Sequence, residues 1–259
     1  VISYSIFLMK NISRINNELK LGINEYHNFK DFMDFPDLGD TKFEYERITP
    51  LQHPALKPYH SILNVVGKQD VMLHYPYQGF SNFIDLLREA AIDPKVKSIK
   101  ITIYRLAKNS RVVNALINAA KNGKRVVVIL ELQARFDEKN NIKWSSVFQE
   151  EGVTVLHGIP GLKVHSKTCV VERLENNKIM RYGFVSTGNV NESTAKIYTD
   201  YTLFTSDQNI LKEVSKVFDF FETNYKVAKY KHLIVSPHYT RNALYKLINA
   251  EIKNAQEGK

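Results

Sequence analysis

His165 lies in the run Gly161-Leu162-Lys163-Val164-His165-Ser166-Lys167, with a lysine two residues away on either side. Side chains alternate between the faces of a strand, so this spacing predicts Lys163, His165 and Lys167 on one face of a strand from Lys163 to Glu172. A neutral imidazole placed there can attack phosphorus while the ammonium groups hold phosphoryl oxygens. Three cationic or titratable groups on one face of an apolar sheet are costly unless that face lines an anion site. The competing reading is an ordinary solvent-facing strand. Pro160-Gly161 predicts a tight turn at the entry.

Two further groups of residues suit the same chemistry. Ser186-Thr187-Gly188-Asn189-Val190-Asn191-Glu192-Ser193-Thr194-Ala195-Lys196 offers uncharged amide and hydroxyl donors, and Gly188 lets a backbone approach closely. Such a loop can cradle phosphoryl oxygens or be a plain polar surface loop. Arg105 follows the run Ile101-Thr102-Ile103-Tyr104, and Arg135 follows Glu131-Leu132-Gln133-Ala134. Both stand at the carboxyl ends of successive strands, where open α/β sheets place ligands, and guanidinium forks match phosphate oxygens. His53, His74, His157, His232 and His238 read as structural, His74 being the one that could border the same cleft. No Walker-type loop, kinase glycine loop, G-x-S-x-G elbow or H-E-x-x-H motif occurs.

The elements that must position these residues alternate. Apolar spacing over 5 to 34 predicts one or two helices, and prolines at 36, 50, 54 and 58 mark 35 to 68 as a connector. Beyond it, strands at 71–75, 96–104, 125–131 and 153–157 enclose helices at about 80–92, 111–121 and 138–151, a β-α-β-α-β pattern. Strands at 163–172 and 179–186 form a hairpin through Glu175-Asn176-Asn177-Lys178. A strand at 199–205 and helices at 207–223 and 240–256 close the chain, with Trp144 and the tyrosines of 225–245 read as packing residues. The predicted fold is α/β, a mixed sheet with helices on both faces and an N-terminal helical segment belonging to a neighbouring domain.

The 259 residues carry 36 Lys plus Arg against 27 Asp plus Glu, a net charge of +9 that favours anionic partners. One cysteine, Cys169, excludes an internal disulfide and a multi-cysteine zinc site, and points to a reducing, cytoplasmic setting. No apolar run reaches the roughly 18 residues that span a bilayer, and the chain starts without methionine, as a piece of something longer would.

His165-Ser166-Lys167 with Gly188-Asn189 resembles one half of a phospholipase D type site, whose H-x-K motif supplies a histidine nucleophile. The segments Tyr104-Arg105-Leu106-Ala107, Glu131 to Glu138, Pro160 to Lys167, and Thr187-Gly188-Asn189 through Tyr198-Thr199-Asp200 are similar, in that order, to segments of the polyphosphate kinases that make long-chain polyphosphate. The resemblance implies a phospholipase D-like fold, with 1–57 as the end of a helical head domain plus connector and 58–259 as the first of two catalytic domains. It implies reversible transfer of the terminal phosphate of ATP to polyphosphate through phosphorylated His165, assisted by Lys167. Tyr198, Asn189 and Lys163 would contact the nucleotide, and Arg105 and Arg135 would serve the Mg2+-phosphate site. An arginine has no lone pair for a cation, so that role is a contact with phosphates. The implied partners are ATP, ADP and polyphosphate, with no nucleic acid, a homo-oligomer when intact, and a cytoplasmic or peripherally membrane-associated location. The phospholipase D aspartate after H-x-K is missing, Glu172 standing near its place, and a second catalytic domain lies beyond this sequence, so the chain alone is expected to be inactive. Two alternatives stay open: a phosphodiesterase or nuclease with a site shared across a dimer, and a non-catalytic polyanion-binding module.

Overall fold

The computed structural model describes residues 42, 45, 46 and 49–259, except 58–59, 133, 135–137 and 224–225. The chain divides into two units, Val1–Arg47 and Ile48–Lys259. The helices expected over 5 to 34 and the residue Arg135 lie outside the described residues.

The second unit is built from α1 (Ile62–Val66), β1 (Val71–Tyr75), α2 (Ser81–Ile92), β2 (Val96–Ile103), α3 (Arg111–Lys121), β3 (Arg125–Leu130), α4 (Glu138–Glu150) and β4 (Thr154–Leu156). After these come β5 (Lys167–Glu175), β6 (Lys178–Ser186), a 3-10 turn (Thr194–Lys196), β7 (Asp200–Thr205), α5 (Gln208–Glu222) and α6 (Thr240–Gln256). The seven strands form one sheet in the order β1-β7-β6-β5-β2-β3-β4. β2, β3 and β4 are parallel, as their helical crossovers require, and every other pairing is antiparallel.

Strand alternation explains the layers. Val126, Val128 and Leu130 of β3 join a core with Ile99, Ile101, Cys169, Phe184 and Phe204, capped by Phe83 of α2, Leu116 of α3 and Phe148 of α4. Val127 and Ile129, one residue out of phase, join Val170 and the Leu211, Val214 and Phe218 stripe of α5 on the opposite face. The apolar run from Val126 to Leu130 is therefore covered on both sides. The fold is the mixed sheet with helices on both faces that the sequence predicts.

Local chemistry sets the ends. Ser110 accepts from the Val113 N–H at 3.3 Å to start α3, and Asp207 accepts from the Asn209 and Ile210 N–H groups at 2.7 and 3.1 Å to start α5. The β5–β6 hairpin turns through Asn176 and Asn177, both at positive φ, which asparagine tolerates. Three expectations need correction. Residues 62–66 of the supposed connector are helical, because Ser61 and Glu89 satisfy the free N–H groups of α1 and Ile62, Leu63 and Val66 are buried. The first hairpin strand starts at Lys167 and not at Lys163. Tyr230, Tyr239 and Tyr245 of the tail are not core: Tyr230 and Tyr239 are half-buried against each other, Tyr245 is exposed, and α6 buries no residue.

Candidate functional site

Residues 163–166 approach β5 as an extended loop held by side chains. Their strand partners have run out, since β6 ends at Ser186 opposite Lys167. Gly161 turns the chain at φ +78°, a value that favours glycine, and the Leu162 N–H donates to the Ile159 carbonyl at 3.0 Å. The Val164 N–H then donates to the Glu131 carboxylate at 3.0 Å. Thr102 closes the other side: its hydroxyl donates to the Ser166 carbonyl at 2.7 Å and accepts from the Thr168 N–H at 2.9 Å. The segment is thus fixed on both sides of His165 without belonging to the sheet.

The three groups consequently do not share a strand face. Lys163 and His165 are exposed, while Lys167 is 3% exposed and turns back so that its ammonium donates to the His165 carbonyl at 2.6 Å. They are brought together by Tyr104, which follows β2 and is 8% exposed. The His165 ring meets the Tyr104 ring edge-to-face with centroids 5.0 Å apart. Lys167 Nζ, Arg105 Cζ and Lys163 Nζ lie 5.2, 5.7 and 5.9 Å from the same ring centre. α4 holds this strand end: buried Asn141 donates to the carbonyls of Tyr104 and Glu131, Asn140 to that of Leu106, and Trp144 to that of Ala107. Sequence reasoning gave no role to Tyr104, Glu131 or Thr102. Their signal was position, at the carboxyl ends of β2 and β3.

The electrostatics follow from like charges in a partly closed place. Burial lowers the His165 pKa below its ordinary value, and Lys167, Lys163 and Arg105 push it further down, which favours the neutral imidazole with its lone pair available. Burial brings Lys167 down to about 8, Asp200 pulling upward and Arg105 downward. Asp200 is the carboxylate whose charge reaches this lysine. Glu172 sits further along β5, bonded to Ser98 and Arg181 at 2.8 and 3.0 Å.

The second predicted loop departs beside Lys167. Gly188 packs so closely on Asp200 that a Cβ there would lie 2.7 Å from its side chain, so any larger residue would force Asp200 to shift. Thr187 donates to the same carboxylate at 2.8 Å. Asn189 follows with a buried side-chain oxygen that has no partner among the described residues. Asn191 is a turn-former, accepting from the N–H groups of Ser193 and Thr194. Glu192 accepts from the Arg111 and Val112 N–H groups, tying the loop to the start of α3. Tyr198 is 57% exposed in the turn before β7, bonded through its N–H to the Thr194 carbonyl. The structure thus groups Lys163, His165, Lys167 and Arg105, and sets Asn189 and Tyr198 on the adjoining loop. His74 instead stacks on Tyr201 with centroids 4.3 Å apart.

This arrangement can bind an anion beside an imidazole. Residues 61–227 match the family described as polyphosphate kinase C-terminal domain 1. Polyphosphate kinases of Vibrio vulnificus and Escherichia coli are 47% and 45% identical over 90% of this chain, which covers 33% and 34% of their lengths. The crystal structure of polyphosphate kinase from Porphyromonas gingivalis superposes with a TM-score of 0.78 at 34% identity, over 94% of this chain and 41% of that one. The chain spans about a third of the length of the curated relatives it matches, and it belongs to the polyphosphate kinase family.

Proposed function

We propose that this chain supplies one half of an ATP:polyphosphate phosphotransferase site, with His165 as the group that carries phosphate. The observation that carries this reading is the exposed imidazole surrounded by Lys163, Lys167 and Arg105 on one aromatic ring. The imidazole lone pair forms a bond to the terminal phosphorus of ATP, and the bond from that phosphorus to the bridging oxygen breaks, leaving ADP with the electron pair. In the second step an oxyanion at the end of a polyphosphate chain takes the phosphoryl group and the imidazole is released. Both steps are reversible. Lys167 and Arg105 offset charge on the transferring group, which is most of what phosphoryl transfer needs from a protein. Lys163, Asn189, Tyr198 and Arg135 are assigned to substrate contacts.

The described residues do not fit a protein-held Mg2+. They include no grouping of three or more His, Cys, Asp or Glu that could hold a metal, and the two arginines can only donate hydrogen bonds. The ion is accordingly written as part of the nucleotide substrate. In the same reading residues 1–57 close a helical head domain, 58–259 form the first of two catalytic domains, and this chain alone does not turn over. No helix among the described residues is long and apolar enough to cross a membrane.

The test is labelling. The intact protein incubated with terminally labelled ATP and Mg2+ is expected to take up acid-labile, base-stable phosphate at residue 165, and His165→Ala is expected to reduce it to background. Label that persists unchanged in the variant would sink the assignment.

A further inference from the structure

The cationic cluster poses a problem of order as well as of charge. Lys163, Lys167 and Arg105 crowd together beside His165, and like charges this close repel, an effect that Asp200 offsets only in part at Lys167. Left to themselves the long side chains would swing into water, and a phosphate chain would then have to order them at a cost in side-chain entropy. Yet three cationic groups lie within 6 Å of the centre of a single ring, the distance at which an aromatic quadrupole attracts a cation. That ring is buried, and its own backbone is anchored by Asn141.

We propose that Tyr104 is the positioning residue of this site, its π face holding the Lys163, Lys167 and Arg105 cations together beside His165 before any phosphate arrives. The proposal rests on the reading of the cluster as a phosphate-chain site. It assigns the work to the ring and not to the hydroxyl, because the contacts are to the ring. Tyr104 touches no reacting atom in this scheme and acts through the residues it gathers.

Ring electronics can be varied at constant shape, which separates this role from simple packing. In the intact protein, position 104 would be replaced by Phe, by mono-, tri- and pentafluorinated phenylalanine, and by Leu. Tripolyphosphate affinity would be measured by calorimetry, and ligand-free ring-current shifts of the Lys163 and Lys167 ε-methylenes by NMR. Phe is expected to match wild type. Affinity should weaken stepwise with fluorination, reaching about tenfold for the pentafluoro ring, as three cation–π contacts of modest strength imply, with the lysine shifts fading in parallel. Equal affinity across the fluorinated series, or a Phe variant as weak as Leu, would overturn the proposal. The isosteric series carries the test even where Leu fails to fold. Wild-type protein that does not bind tripolyphosphate overturns the proposed function instead, and the ligand-free lysine shifts still decide the role of Tyr104.

Discussion

The two ends of β5 treat positive charge in opposite ways. At its far end Arg173 is clamped by Asp93 at 2.7 Å and Glu175 at 2.5 Å, and Tyr182 donates to the same Glu175 oxygen at 2.7 Å. Burial opposes ionisation of all three charged groups there, yet the two carboxylates raise the Arg173 pKa, the Lys95 N–H and Arg173 hold Asp93 below the usual carboxylate value, and the Tyr182 hydroxyl and Arg173 do the same for Glu175. Roughly 20 Å away along the strand, Lys167 donates to a carbonyl beside an aromatic ring, and burial, opposed by Asp200 and aided by Arg105, has brought its pKa down to about 8. A charge that serves the fold is neutralised by the fold. The charge at Lys167 stands beside another cation and draws only part of its compensation from Asp200, which in the proposed reading leaves the rest to the ligand.

That contrast is broken most directly from the open end. Lys167→Met is expected to slow phosphoryl transfer about 10²-fold, the usual scale for removing one group that stabilises transition-state charge. Its midpoint of unfolding should stay level or rise, because a buried cation held at a cost is gone. At the clamped end the outcome reverses. Arg173→Met leaves Asp93 and Glu175 facing each other with side chains 14% and 26% exposed, and should cost about 2–3 kcal/mol of stability by urea titration, with transfer unchanged. A Lys167→Met protein as unstable as Arg173→Met would mean that the two ends do the same job.

The sequence was informative where the signal was local and periodic. The helix expected at 111–121 is α3 to the residue, and the strand expected at 125–131 is β3, one residue shorter. The cationic groups were legible as types at a spacing, and His165, Lys163, Lys167 and Arg105 do meet. The geometry of their meeting was not legible. Strand alternation predicted one shared face, but alternation needs a neighbouring strand, and the place where β6 stops depends on pairing between residues far apart in sequence. Tyr104, Glu131 and Thr102 escaped for a related reason: each acts across 33 to 66 residues of chain, through a ring contact or a hydrogen bond that no short motif encodes. The exposed helix α6 shows the converse, an apolar spacing that predicts packing where the described residues offer it none.

The smallest expected effect, on the order of 1 kcal/mol once screening at the open side of the site is allowed for, separates the two ends by pH. Lys167 has a native pKa of about 8 against an ordinary 10.5, so between those values the unfolded chain binds the extra proton and stability rises with pH. Below about 8 the penalty is complete and flat. Asp93 and Glu175 are shifted the other way, so their contribution is complete above their ordinary values of 3.8 and 4.5 and is lost as pH falls through the lower native ones. Urea titrations across pH should therefore show wild type gaining on Lys167→Met only on the alkaline side, and losing its advantage over Arg173→Met only on the acid side. Tripolyphosphate affinity should decline as pH passes about 8, because the proton that leaves Lys167 takes with it a charge the ligand needs. A Lys167→Met protein with the same alkaline slope in stability, or wild-type affinity that is flat through that range, would show that Lys167 is paired after all and that the two ends of β5 are alike.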